Sequence, residues 1–125
     1  VRTRNRQSAK AAGRFFENQV AHFLRDVHPH VERRRQAGAK DRGDLINTWP
    51  WTIECKNEKS IDLAGGCEEA KAELANDGRT RWWALIIKRR NRAVWQSYVV
   101  MDLDQFRDLM ALLQPLAERD HSNVG

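Results

Sequence analysis

The chain has 125 residues, enough for one packed domain. A hydrophobic content of 41% with 5 Trp excludes a disordered segment, and no apolar run is long enough to span a bilayer. Lys and Arg outnumber Asp and Glu by 22 to 17, a net charge of +5, and the excess is clustered. Arg2, Arg4, Arg6, Lys10 and Arg14 share an opening stretch without an acid. Arg33, Arg34, Arg35, Lys40 and Arg42 form a second group, and Lys88, Arg89, Arg90 and Arg92 close an acid-free third that begins at Arg79. Clustered arginine is the footprint of a protein that grips a nucleic-acid backbone. No signal-peptide pattern is present, and Cys55 and Cys67 lack the partner spacing of a zinc site. Both read as reduced, largely buried thiols of a cytoplasmic protein. His28 and His30 flank Pro29 in a loop with no third ligand nearby, so they read as incidental.

In chain order, residues 1–8 read as a basic flexible arm. A helix follows over 9–27, with Ser8 as its cap and Phe16, Val20, Phe23, Leu24 and Val27 as its apolar stripe. Glu17 falls at the margin of that stripe. Pro29 stops the helix, and 31–35 reads as a short strand. A glycine-containing loop over 36–43 leads to a second strand over 44–46. Turn residues over 47–50 then lead to a third strand over 51–56. A helix is expected over 63–76, with Leu63, Cys67, Ala70 and Leu74 on one face and Gly78 as its stop. The continuous apolar run over 82–87 fits a strand buried on both faces. A basic connection leads to a strand over 94–101. A last helix, capped by Asp104, should run to about 113 with Phe106, Leu109, Met110 and Leu113 inward. The remainder reads as a frayed tail, which makes 9–114 the folded domain and 115–125 its C-terminal extension. The order is α-β-β-β-α-β-β-α. The helical return between the third and fourth strands predicts a parallel pair at the sheet centre. Trp82, Trp83, Trp95 and Tyr98 suit either the core or a contact with a second copy.

Three residues carry the chemistry. Side chains alternate along a strand, so Trp51, Ile53 and Cys55 face one way and Thr52, Glu54 and Lys56 the other. Glu54 and Lys56 then stand roughly 7 Å apart on one face. Asp44 stands at the start of the preceding short apolar strand, a hairpin's length upstream. Two acids and a lysine converging in this way suit a divalent-metal site that hydrolyses phosphodiester bonds. Taken singly, a Glu-x-Lys pair is more often a solvated ion pair.

Glu17 on the first helix, Asp44 on the second strand and Glu54-Cys55-Lys56 on the third, in this order, resemble the PD-(D/E)xK nuclease superfamily. Within it the chain is most similar to the small Holliday-junction resolvases of archaea and the related resolvase-like proteins of actinobacterial phages. The resemblance covers roughly 9–101. One departure is plain: Gly43, not proline, precedes Asp44. The resemblance implies an α/β, restriction-endonuclease-like core with a mixed sheet flanked by helices. It implies a Mg²⁺-dependent endodeoxyribonuclease in which Mn²⁺ can substitute. Asp44, Glu54 and the backbone carbonyl of Cys55 would hold the ion, with Glu17 completing the cluster directly or through water. Lys56 would orient the attacking water or stabilise the transition state. The basic groups of the first paragraph would bind DNA. The partner would be a four-way junction, cut by a homodimer with no membrane involved, in the cytoplasm of a bacterial host if phage-encoded. Two alternatives stand beside this. One is another nuclease on the same scaffold: a nickase, an exonuclease or a restriction-like enzyme. The other is a DNA-binding module without catalysis, which the acids argue against because they repel phosphate.

Overall fold

The computed structural model describes residues 5–35 and 41–122. Arg2, Arg4 and Lys40, named above as DNA-binding candidates, lie outside the described residues, as does most of the expected 36–43 loop. The elements are α1 (Arg6–Leu24), β1 (Glu32–Arg33), β2 (Leu45–Ile46), β3 (Trp51–Lys56), α2 (Leu63–Asp77), β4 (Trp82–Ile87), a 3-10 turn (Val94–Gln96), β5 (Tyr98–Val100) and α3 (Leu103–Ser122). The fold is α/β, with a mixed sheet flanked by helices. β3 and β4 are parallel, in the register Glu54↔Leu85, and β5 pairs antiparallel with β4. β1 and β2 form a small antiparallel ribbon. Asp44 N–H donates to the Ile53 carbonyl at 2.8 Å and ties that ribbon to the free edge of β3.

The two faces of the central sheet are both covered, and the alternation along the strands decides by what. Ile53 and Cys55 of β3 and Ile86 of β4 pack with Phe16, Val20 and Ala21 of α1 and with Val31 and Leu45. Trp83, Leu85 and Ile87, the other face of β4, pack with Ala70 of α2 and with Ile61, Cys67 and Leu74. Every residue of β4 is buried, as its unbroken apolar run requires. α2 closes tightly onto this face because Gly66 has no side chain. A Cβ there would lie 3.0 Å from Leu85 Cδ2. Asp62 accepts from Gly65 N–H to begin the helix, and Gly78, left-handed at φ 68°, ends it.

Several elements differ from the sequence expectation. α1 begins at Arg6, not at residue 9, because the Asn5 carboxamide accepts the Ser8 N–H at 2.8 Å. Asn5 is therefore the cap, and Arg6, Gln7 and Ser8 belong to the helix rather than to an arm. Its buried face is Phe16, Val20 and Ala21, with Leu24 packed beside them. The small Ala21 seats that face and turns Phe23 outward, while Val27 lies past the helix end and is 72% exposed. The strand expected over 94–101 is cut to Tyr98–Val100, because Val94–Gln96 winds into a 3-10 turn held by the Gln96 side chain on Ala93 N–H.

The last helix is the largest difference. α3 continues through Pro115 to Ser122, where a frayed tail was expected from 115. Phe106, Met110 and Leu113, expected inward, are at least half exposed, and only Leu109 is partly covered. The sheet faces are already occupied by α1 and α2, so α3 has no layer left to enter. It is held at its start instead. β5 pairs with Leu85–Ile87 and stops short of Trp83. There the Gln105 carboxamide accepts from Trp83 N–H at 3.0 Å and donates to Trp83 C=O at 2.7 Å. One side chain thus stands in for the missing strand residue. Among the described residues, no helix is long and apolar enough to cross a membrane.

Candidate metal centre

The edge of β3 that carries Asp44 is built from an unusual turn. Gly43 takes φ 102°, and a Cβ on it would meet Ile53 O and Thr52 Cγ2 at 3.1 Å. Proline is fixed near −65° and cannot adopt this conformation, which accounts locally for its absence before Asp44. The turn is braced by Asp41, whose carboxylate accepts Gly43 N–H at 3.0 Å, and by Arg34, whose Nε–H donates to Gly43 C=O at 3.1 Å. Asp44 is delivered alongside β3, where its Oδ2 accepts the Cys55 N–H at 2.7 Å. Lys56 C=O points to β4, where it accepts Lys88 N–H, so alternation turns the Cys55 carbonyl to the Asp44 edge.

Glu54 does not project into solvent, as strand alternation alone suggested. α2 covers it, and it is 4% exposed. Its carboxyl lies within hydrogen-bonding reach of Asp44 and of Glu73, and its Oε2 has no partner. Burial first, then Asp44 and Glu73, push its pKa far above the carboxylate range. Glu73 on α2 is 1% exposed, and neither of its oxygens has a partner. Burial raises its pKa to about 8. The neighbouring Glu54 works the other way, and Asp41 adds to the rise. One carboxylate oxygen from each of Asp41, Glu54, Glu69 and Glu73 lies within 4.8 Å of every other.

Glu17 approaches from α1. It is half-buried, its Oε2 is unpartnered, and its pKa is raised to about 7 by burial and then by Asp44, against the pull of Arg33 and Arg14. Lys56 is half-buried and pairs with Glu69 at 2.6 Å and more loosely with Glu58 at 3.9 Å. Burial works against its charge, but the Glu69 hydrogen bond and the Glu54 charge outweigh this and raise its pKa. Cys55, at the middle of these acids, is a buried free thiol, with its pKa raised by burial and then by Asp44. Cys67 is also free and is only partly buried.

Four acids packed this closely repel one another unless protons or a cation intervene. Buried carboxylate oxygens without donors are the ligand set that a hard divalent ion requires. The cluster is therefore a potential metal-binding site. No family model, curated protein or solved structure matches this chain.

Glu17, Asp44, Glu54 and Lys56 are thus brought to one region, the edge and helical cover of β3. The sequence reading missed Asp41, Glu69 and Glu73. Asp41 needed knowledge of a turn. Glu73 did carry a signal: with Gly66 and Ala70 it makes a 4-then-3 spacing, the buried line of α2, in place of the expected line through Leu63. The basic residues divide. Arg6, Lys10 and Arg14 are exposed at four-residue spacing, one ridge of α1. Asn57, next after Lys56, donates to Ala12 C=O and fixes that stretch of α1 beside the C-terminal end of β3. Arg33 and Arg42 are half-buried near the acids, Arg35 is exposed, and Arg34 is turned inward to Gly43. Lys88, Arg89, Arg90 and Arg92 follow β4, with Arg89 over the Tyr98 ring at 4.7 Å.

Proposed function

We propose that the chain is a metal-dependent endonuclease of the PD-(D/E)xK type that cuts branched DNA, most similar in action to a Holliday-junction resolvase. The observation that carries this is Glu54. It is a buried strand acid with an unpartnered oxygen, beside Asp44, on the same strand face as Lys56. Asp44, Glu54 and the Cys55 carbonyl would hold Mg²⁺ or Mn²⁺, and Glu17 would complete the set. When bound, the ion supplies Lewis acidity that lowers the pKa of an attacking water and offsets charge on the phosphate. Lys56 remains protonated and contributes a fixed positive charge for the developing oxyanion. Arg14 and Arg33 bring positive charge to the Glu17 side of the centre, where a phosphate backbone must pass acids that repel it. The mixed sheet, with its parallel β3–β4 pair between helices, suits a restriction-endonuclease-like core.

A junction is two-fold symmetric and needs two cuts, so this reading asks for a second copy of the chain. The exposed apolar side of α3, with Tyr98 and Val99 on the adjoining strand, is a surface suited to it.

The experiment is a cleavage assay on a four-way junction, a linear duplex and single-stranded DNA, with and without Mg²⁺. The expected result is paired, Mg²⁺-dependent nicking of the junction, lost in Asp44→Asn and Glu54→Gln while junction binding in EDTA persists. Full activity in either variant would remove the proposed chemistry. Equal nicking of linear duplex would make the enzyme a general nickase on the same scaffold.

A further inference from the structure

Trp49 serves neither the core nor the metal centre. It stands on the turn between β2 and β3 and is 68% exposed. The residues on both sides of it are pinned. Asn47, left-handed at φ 62°, donates from its carboxamide to His30 C=O at 2.8 Å. Thr48 is buried, its hydroxyl donates to Trp51 C=O at 2.8 Å, and Trp51 N–H donates back to Thr48 C=O at 2.8 Å. Pro50 C=O accepts the N–H groups of Arg81 and Trp82 at 2.9 and 3.1 Å. Trp51 turns inward, with its ring centroid 5.2 Å from that of Trp82. Trp49 has no ring or cation partner among the described residues. The turn thus holds a large aromatic in the open on a fixed backbone. Closing a hairpin asks for no such residue, since small polar side chains do it without exposing apolar surface.

Two features select what covers the ring. A protein partner takes a contiguous apolar surface, and that surface lies on α3, through Phe106, Met110 and Leu113. Trp49 instead stands between Thr48 and Pro50, beside a cation. Arg81 is joined to the turn through its backbone, and its side chain is 53% exposed. An open ring next to a guanidinium suits a nucleobase and its phosphate.

We propose that Trp49 stacks on the base laid bare at the branch point of the DNA and so sets where the branch lies relative to the cut. The proposal rests on the nuclease reading and names the feature of the substrate that the protein selects. Inside a duplex both faces of each base are covered, and stacking there first costs the opening of a step. An opened branch point leaves the end pair of each arm with a bare face. Branch preference then needs no contact with base edges. The turn also fixes a distance. Trp51 and Glu54 are three residues apart on β3, about 10 Å, and Trp49 lies beyond Trp51. A stacked strand advances about 3.4 Å per nucleotide. For a strand laid along β3, the stacked base is therefore at least about three nucleotides from the metal centre. Trp49 determines specificity and takes no part in hydrolysis.

The test is binding of a four-way junction and a linear duplex, in EDTA, to wild type, Trp49→Phe and Trp49→Ala. 2-Aminopurine, whose fluorescence is quenched by stacking, is placed in turn at the branch and at positions inside an arm. Trp49→Ala should lose about 5- to 150-fold in junction affinity, the range of one base–aromatic stack, and nothing on the duplex. Trp49→Phe keeps a ring and should lose less. At the branch, 2-aminopurine should be darker on wild type than on Trp49→Ala, with no difference inside the arm. Wild type alone should give its minimum at the branch, which is independent of how well a variant folds, and the lack of a minimum overturns the proposal. Equal affinity and equal fluorescence in Trp49→Ala also overturn it, while Mg²⁺-dependent cleavage lost in Asp44→Asn keeps the nuclease reading. An equal loss on junction and duplex overturns the selectivity. A lower mass of Trp49→Ala in sedimentation, with DNA affinity unchanged, assigns the ring to a contact between chains and overturns it as well. A wild type that binds neither DNA overturns it together with the nuclease reading.

Discussion

Glu73 shows how a single side chain can oppose the fold that contains it. It lies on the buried line of α2, where neighbours are Gly66 and Ala70, and it offers a carboxylate where the packing asks for a hydrocarbon. Replacing a buried charged group by an apolar one of similar volume is often stabilising by about 1–4 kcal/mol. Glu73→Met should therefore raise the stability of the metal-free protein at pH 8 by an amount in that range and bind less Mn²⁺. At pH 5 the gain should shrink, because a carboxyl with a pKa of about 8 is already neutral there. Urea denaturation at the two pH values measures this. A loss of stability at both would mean that Glu73 makes a favourable interaction in the apo protein. At this scale the sequence was legible where chemistry followed a local rule. Asp44, Glu54 and Lys56 could be read because strand alternation puts Glu54 and Lys56 on one face. Asp41, Glu69 and Glu73 join them only through the docking of α2 onto β3 and the turn at Gly43, and no spacing within one element announces that.

Among the elements, β3, α2 and β4 begin and end nearly where the sequence places them, since each is a central layer, although the buried line of α2 runs through Gly66, Ala70 and Glu73 rather than Leu63. β5 and α3 do not. Their patterns are equally apolar, but the central layers are complete without them, so the pattern shows that they are amphipathic without showing what they cover. α2 is the element on which the centre depends most, because it delivers Glu69 and Glu73 and forms the lid on Glu54. Its approach is set by Gly66 against Leu85. Gly66→Val should force the two apart at a cost of about 1–3 kcal/mol, typical of overpacking, despite the better helix propensity of valine. The lower midpoint should appear in chemical denaturation, and Glu54 should become titratable nearer the ordinary range. An unchanged midpoint would show that Leu85 moves aside freely.

For the molecule as a whole, the acids make stability depend on pH in a direction opposite to the usual one. Burial holds the pKa values of Glu17 and Glu73 at about 7 and about 8, above the ordinary carboxylate value of about 4.5. The native state therefore holds more protons than the unfolded state between those limits, and stability falls as pH rises from about 4.5 to about 8. The melting temperature of the metal-free protein should drop across this window. Mg²⁺ or Mn²⁺ should restore it, more at pH 8 than at pH 5, because ligands must shed their protons to bind. A melting temperature that climbs with pH in EDTA would contradict the burial of these groups. The outward apolar side of α3 gives a second whole-molecule expectation. If two copies pair through this side, as the proposed function asks, Phe106→Glu with Met110→Glu should leave only monomer in sedimentation at micromolar protein, with Mn²⁺ binding per chain unchanged. A wild-type chain that sediments as a monomer would place the symmetry of the reaction elsewhere. The Gln105 clasp on Trp83 has one more consequence, for time rather than for structure. The Trp83 amide hydrogen lies in the sheet but is held by a residue of α3, so it can exchange with solvent deuterium whenever α3 lifts, without the sheet opening. It should exchange faster than the Leu85 amide, two positions along the same strand. The ratio of the two rates is then a clock for the detachment of the last helix, and it should slow with protein concentration if a second chain clamps that helix down.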